Sequence, residues 1–269
     1  VSDGWSYRRG LPPFDISAKI HPMPKLKTKE EQVKELSAVG AHYGFSRSRR
    51  HPSVDAHIYG FKNRSAVIDL EKSLESLETA KEAIKKFASE GKQVLFVGTK
   101  PEARTIIKNY AETIGQPYVI TRWIGGTFTN FKQVRASINK MKDYAAKDKA
   151  GELSIYTKRE RTMIGIERAK MEKYFSGIED MEKIPAAIFV VDSNFEKIAV
   201  DEAKQLKVKV ISLSGSDCDI RAIDYPIVAN DASRQSIDLF VSALTEAYRE
   251  GKMTAQTAPV VTEVQTKAK

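Results

Sequence analysis

Cysteine is nearly missing from this sequence: Cys218 stands alone, so no internal disulfide can form. A single thiol with no activating neighbour beside it fits a reducing compartment. No apolar run is long enough to cross a bilayer, which excludes a spanning role, and the first residues hold no apolar signal-peptide core. The loop signatures of nucleotide enzymes are missing as well. Phe96-Val97-Gly98-Thr99-Lys100 ends an apolar run in Gly-Thr-Lys, but a phosphate loop needs a glycine five residues before Gly98 and a hydroxyl after Lys100, where Gln93 and Pro101 stand. No Gly-x-Gly-x-x-Gly follows any predicted strand. His42 and His57 have no cysteine pair to complete a ligand set, so neither a metal nor a cofactor is expected.

What the chain does have is positive charge. Lys+Arg 44 against Asp+Glu 35 gives a formal net charge of +9 over 269 residues, a balance that favours a polyanionic partner, nucleic acid or an anionic membrane surface. The membrane is the weaker of the two, because no predicted helix pairs a broad apolar face with a strongly basic one. Hydrophobic content of 41% suits one globular body, with or without an insert.

In chain order, Pro12, Pro13, Pro22 and Pro24 mark 1–29 as an extended arm, in which Trp5, Tyr7, Arg8 and Arg9 suit stacking and charge contacts with RNA. A short helix with Thr28 as cap is expected over 30–38. Arg47-Ser48-Arg49-Arg50-His51-Pro52 is the densest basic cluster, a loop suited to phosphates. A hairpin over 57–70 carries Lys62 and Arg64 in its turn, and an amphipathic helix over 71–90 follows, ended by Gly91. Apolar runs at 93–98, 118–120, 186–192, 208–213 and 225–228 read as buried parallel strands alternating with helices over 102–114, 197–206 and 233–249. The fold class is therefore α/β: a doubly wound, mostly parallel sheet of flavodoxin-like or Rossmann-like type, with an inserted antiparallel helical hairpin. The body comprises 30–130 and 185–250. Between them, Phe131, Val134, Ile138, Met141 and Ala145 alternate three- and four-residue spacings, and Ile164, Met171, Phe175 and Ile178 form a similar seam that Arg168 interrupts. Thus 131–184 reads as a protruding coiled-coil hairpin, and 251–269 as a flexible tail.

One stretch organises the rest. Arg122-Trp123-Ile124-Gly125-Gly126-Thr127-Phe128-Thr129-Asn130-Phe131 follows a strand and leads into a basic helix beginning at Lys132. Paired glycines admit close approach of another surface, and arginine, hydroxyls and amides contact sugar, phosphate or base. Nothing in it serves as a general base, an activated nucleophile or a metal cluster, so no catalytic residue is assigned. It reads as a recognition loop, with Trp123 either stacking on a base or packing against the sheet. Asp192, Asp217 and Asp219 at or after strand ends keep a nucleotide- or sugar-phosphate-binding enzyme as the alternative.

That decapeptide resembles the Arg-Trp-Leu-Gly-Gly-Thr-Leu-Thr-Asn-Phe signature of the small-subunit ribosomal protein two family, bacterial and organellar branch. Ala41-His42-Tyr43-Gly44, Val97-Gly98-Thr99-Lys100, Pro117-Tyr118-Val119, Tyr156-Thr157-Lys158-Arg159-Glu160, Glu202-Ala203, Ile223-Asp224-Tyr225-Pro226-Ile227 and Asn230-Asp231-Ala232 are similar to its other motifs, over about 33–251. Ser214-Gly215-Ser216 stands where the family usually has Asp-Thr-Asn, and Val228-Ala229 where it has Pro-Gly. The resemblance implies a non-catalytic constituent of the small ribosomal subunit, bound to small-subunit ribosomal RNA and to neighbouring proteins, the messenger-binding protein one among the candidates. Its place would be the cytoplasmic ribosome, or the organelle matrix for an organellar source. The residues expected on RNA are Arg47, Arg49, Arg50, His51, Lys62, Arg64, Arg122, Gly125, Gly126, Thr127, Thr129, Asn130 and Lys132. If about six phosphates are neutralised, affinity falls with salt on a log–log slope on the order of −4 to −5.

Overall fold

A Thr-x-x-Glu pattern opens the first helix. Thr28 Oγ1 accepts the Glu31 amide and the Glu31 carboxylate accepts the Thr28 amide, a reciprocal cap that starts α1 at Lys29–Ala38. The computed structural model describes residues 28–257; the proline-bearing arm with Trp5, Tyr7, Arg8 and Arg9, and the tail beyond Thr257, lie outside the described residues.

Two sheets follow. The first is antiparallel, in the order β1-β3-β2, built from Tyr43–Ser46, Ile58–Lys62 and Ser65–Ile68. The expected hairpin is β2–β3, turning on Asn63 and Arg64, both at positive φ (50° and 66°), the backbone of a tight primed turn. The strand β1 is an addition to the sequence reading. The glycines of Gly40-Ala41-His42-Tyr43-Gly44-Phe45 read as a break, not a strand, yet Gly44 is needed: a Cβ would sit 2.9 Å from Ser216 Oγ and 3.2 Å from the Ala66 carbonyl.

The second sheet is parallel, in the order β5-β4-β6-β7-β8: β4 Val94–Val97, β5 Tyr118–Val119, β6 Ala187–Val191, β7 Lys209–Ser214 and β8 Tyr225–Val228. Its unbroken apolar runs are explained by burial on both faces. On one face Val94, Phe96, Phe189, Ile211 and Leu213 pack with α2 (Leu70–Ser89), α3 (Pro101–Ile114) and α7 (Arg234–Thr257) through Leu77, Ile84, Ile107, Phe240 and Leu244. On the other, Leu95, Val97, Ile188, Val190 and Val210 meet Val134 and Ile138 of α4 (Phe131–Lys149) and Ala199, Val200 and Ala203 of α6 (Lys197–Gln205). This is an α/β architecture consistent with a doubly wound sheet. After β5 the chain crosses back over β4 to lay down β6, so the strand order reverses between β4 and β6. Outside the carboxyl ends of those strands such folds place their ligands.

Two differences bear on the site. The last helix was expected to end near Arg249 and runs to Thr257. Gly251 reads as a stop in sequence, but here its missing side chain lets α7 lie against the Lys85 backbone and Ala88 of α2. The α4 seam is also shared: Phe131, Val134 and Ile138 belong to the sheet's second core, so the amino half of α4 lies on the sheet. By contrast α5 (Lys158–Phe175), capped by the Thr157/Glu160 box, buries no residue. It meets the outer half of α4 through Lys140–Glu167 (2.6 Å) and Asp148–Arg168 (2.7 Å). Arg168, an oddity in an apolar seam, is thereby paired, with Glu172 as its second partner. Among the described residues no helix is long and apolar enough to cross a membrane.

Candidate nucleic-acid interface

The glycine loop hangs from the end of β5 and is held from below by one carboxylate. Glu202, on the buried side of α6, accepts the amides of Gly126 (2.7 Å), Phe128 (2.9 Å) and Thr129 (3.3 Å), and the Trp123 indole N–H (3.2 Å). Such convergence needs a backbone that turns its N–H groups to one point, and Gly126 supplies it at φ 91°. Burial pushes the Glu202 carboxyl up, but the Phe128 and Gly126 amides, helped by Trp123 and Thr129, hold it below the ordinary carboxylate range. Trp123 is buried, edge-on to Phe128 at 5.0 Å between ring centroids; of its two readings, the structure shows packing. Thr127 is buried too, its hydroxyl donating to the Ile124 carbonyl at 2.6 Å. The loop therefore turns outward a different subset: Arg122, Gly125, Thr129, Asn130 and Lys132 are exposed.

The second basic group surrounds the antiparallel sheet. Arg47 and Arg64 are tied by the Arg47 amide donating to the Arg64 carbonyl at 3.0 Å. Arg47, Arg49, Lys62 and Arg64 are exposed and Arg50 is half-buried. Arg49 pairs with Asp217 (3.5 Å) and Arg50 with Asp55 (3.1 Å), while Arg47, Lys62 and Arg64 pair with no carboxylate among the described residues. His51 caps a short 3-10 turn, its Nδ1 accepting the Ser53 amide at 3.2 Å and lying 2.8 Å from the Ser53 hydroxyl. Ser216, in the loop after β7, fixes this group: its hydroxyl accepts the Phe45 amide (2.7 Å) and its carbonyl the His51 amide (3.0 Å). The structure thus gathers Arg47 to Arg64 into one cluster. Arg122 to Lys132 form another, at the far edge strand β5, with β4 and β6 between β5 and β7.

At the reversal point stands a lysine among carboxylates. Lys100 Nζ contacts Asp192, after β6, and Asp231, after β8, the latter at 2.9 Å. Burial alone would depress the ammonium, but Asp231 and Asp192 hold it above the usual lysine range. Burial and the nearby Asp192 charge push Asp231 up to about 6 despite the lysine. Asp192, also raised by burial, is brought below its ordinary value by its bond to Lys100. Cys218 Sγ lies against Asp192, and its thiol is pushed up to about 12 by burial and that charge, the opposite of an activated nucleophile. Of the strand-end aspartates, Asp192 is neutralised by Lys100, Asp217 by Arg49 and Asp219 by Arg221 (2.9 Å). Their chemistry is that of internal ion pairs.

Sequence reading placed Glu202 and Asp231 in family-like motifs and Ser216 in a departure from them, but gave none of the three a role. A signal for Glu202 existed: it shares the buried side of α6 with Ala199, Val200 and Ala203, and a carboxylate on an apolar helix face requires a partner. The roles of Ser216 and Asp231 could not be read, since their partners lie 171 and 131 residues away.

Residues 36–251 match the model of a family described as Ribosomal protein S2. The chain is 39% identical over 223 residues to the small ribosomal subunit protein uS2 of Wolinella succinogenes, spanning 83% of this chain and 82% of that one. It is 41% identical over 219 residues to the uS2 of Salinibacter ruber, spanning 81% and 68%. With the uS2 of Helicobacter hepaticus it shares 38% over 220 residues, spanning 82% and 83%.

Proposed function

The chain belongs to the ribosomal protein S2 family, and on that footing we propose how its surface holds ribosomal RNA. Its role is that of a structural constituent of the small ribosomal subunit, serving translation; the family is not an enzyme class. Arg47, Arg49, Arg50, His51, Lys62 and Arg64 form one phosphate-binding group on small-subunit RNA. Arg122 and Lys132 form a second, with Gly125 admitting close approach and Thr129 and Asn130 donating to sugar or phosphate oxygens. Gly126 and Thr127 serve from beneath, through Glu202 and Ile124, by fixing the shape the outer residues present.

The observation that carries this reading is the set of exposed cations, Arg47, Lys62 and Arg64, that no carboxylate among the described residues neutralises. Unpaired charge of one sign on a rigid sheet is what a polyanion would engage. The segment 131–184 acts as a projecting hairpin, supported by the α4–α5 ion pairs and by an α5 that buries no residue fully and reaches the sheet's second core only through Phe175 at its end. The body comprises 30–130 and 185–250. Neighbouring small-subunit proteins, the messenger-binding protein one among them, are the protein partners, and the site of action is the ribosome, cytoplasmic or in an organelle matrix according to source.

Cosedimentation with small subunits and a salt titration on small-subunit RNA test the proposal. Binding with a log–log slope on the order of −4 to −5 is expected for about six phosphates. A complex indifferent to salt, or no complex, overturns it.

A further inference from the structure

We infer that the antiparallel sheet carries a stacking site for an unpaired nucleotide, beside the phosphate contacts; the inference rests on the RNA-binding reading above and refines it. Neutralising phosphates requires cations alone, but this surface also displays rings. Tyr59, on edge strand β2, is 83% exposed, Tyr43 on β1 60% and Phe61 on β2 42%. None of the three belongs to a core cluster, and Tyr43 lies beside His42 with ring centroids 4.0 Å apart.

Three of the cations lie over phenylalanine rings. The guanidinium groups of Arg47 and Arg50 lie over Phe61 at 5.3 and 5.5 Å from its centroid, and that of Arg49 over Phe45 at 4.6 Å. Cation over ring holds each long side chain in place at little further entropic cost. It also builds a surface of delocalised planes, on which bases stack irrespective of sequence. Regular duplex RNA keeps its base faces inside its own stack, so it offers such a surface only phosphate and ribose. A base turned out of a loop, bulge or strand end presents a free face to Tyr59 while its flanking phosphates meet Lys62 and Arg64. An acidic protein segment would satisfy the cations and leave the tyrosine ring without a matching plane.

The experiment uses the full chain, a short oligoadenylate and a blunt RNA duplex of equal length, with affinities measured over a salt series. Wild type is expected to favour the single strand. Tyr59→Ala should lose about tenfold on oligoadenylate, with the salt slope and the duplex affinity unchanged, and Tyr59→Phe should retain the preference. Thermal melts confirm that both variants fold. Equal binding of both RNAs by wild type and Tyr59→Ala, or an equal loss on the duplex, overturns the inference and leaves an acidic protein segment as the ring's partner. Failure of wild type to bind either RNA is a distinct result, seen before any variant is made, and removes the RNA-binding reading itself.

Discussion

Glu202 Oε1 accepts the Gly126 amide at 2.7 Å across 76 residues of sequence. That bond joins the helix after β6 to the loop after β5, so the loop's shape is a property of the whole sheet.

Breaking it should be costly. Glu202→Ala leaves three amides and an indole N–H without their acceptor and is expected to destabilise by on the order of 2–3 kcal/mol; Glu202→Gln, which retains one carbonyl oxygen, should cost less. The carboxyl is held below its ordinary value on folding, so its contribution is present above about pH 4.5 and is lost as pH falls through the folded value. Urea midpoints for wild type and Glu202→Gln should therefore converge in acid; a constant gap from neutral to acidic pH contradicts the assignment.

In the Lys100 cluster Asp231 has the opposite sign. Lys100→Met strands Asp192 and Asp231 in a buried site, and a loss of about 3–5 kcal/mol near neutral pH is expected. Asp231, raised from 3.8 to about 6 even with the lysine present, contributes stability that is complete below its unfolded value and lost as pH rises through the folded one. Without the lysine Asp231 rises further and Asp192 loses the bond that holds it down, so the deficit should shrink toward pH 4 and widen above pH 6. The triple variant Lys100→Met, Asp192→Asn, Asp231→Asn should regain most of the stability. Denaturant titrations at the two pH extremes decide.

For the RNA contacts, Arg47→Ala and Lys62→Ala should each weaken binding to all RNAs alike and reduce the salt slope by about one unit. Stability should change by no more than about 0.5 kcal/mol. A loss of affinity at unchanged slope would mean that the residue does not neutralise a phosphate.

Gly177 offers a purely steric test. It follows α5, and a Cβ there collides with the backbone carbonyl and ring of Tyr118 on β5. Gly177→Ala should cost roughly 1–3 kcal/mol, by analogy with overpacked cores, and calorimetry should show a lowered Tm.

Much of this was written locally. The capping box at Thr28, the run from Val94 to Val97 and the apolar period of α2 each depend on neighbours a few residues away, and each element formed where expected. Legibility fails where the partner is remote. The strand β1 exists because Gly44 passes close to Ser216, and α7 continues because Gly251 touches α2. In the glycine loop the residue types were readable, but not their direction: Trp123 faces inward onto Phe128 and Glu202, and Thr127 turns back onto the Ile124 carbonyl. Polar residues in a turn carry no mark of which will point to solvent.

Ser216, which accepts amides from both Phe45 and His51, sets a timetable for the growing chain. The loop with Arg47, Arg49 and Arg50 leaves the translating machine early, yet the hydroxyl and carbonyl that hold its ends arrive some 170 residues later. A chain cut before residue 216 therefore lacks both acceptors, and the basic loop between Phe45 and His51 loses the two bonds that tie it to the end of β7.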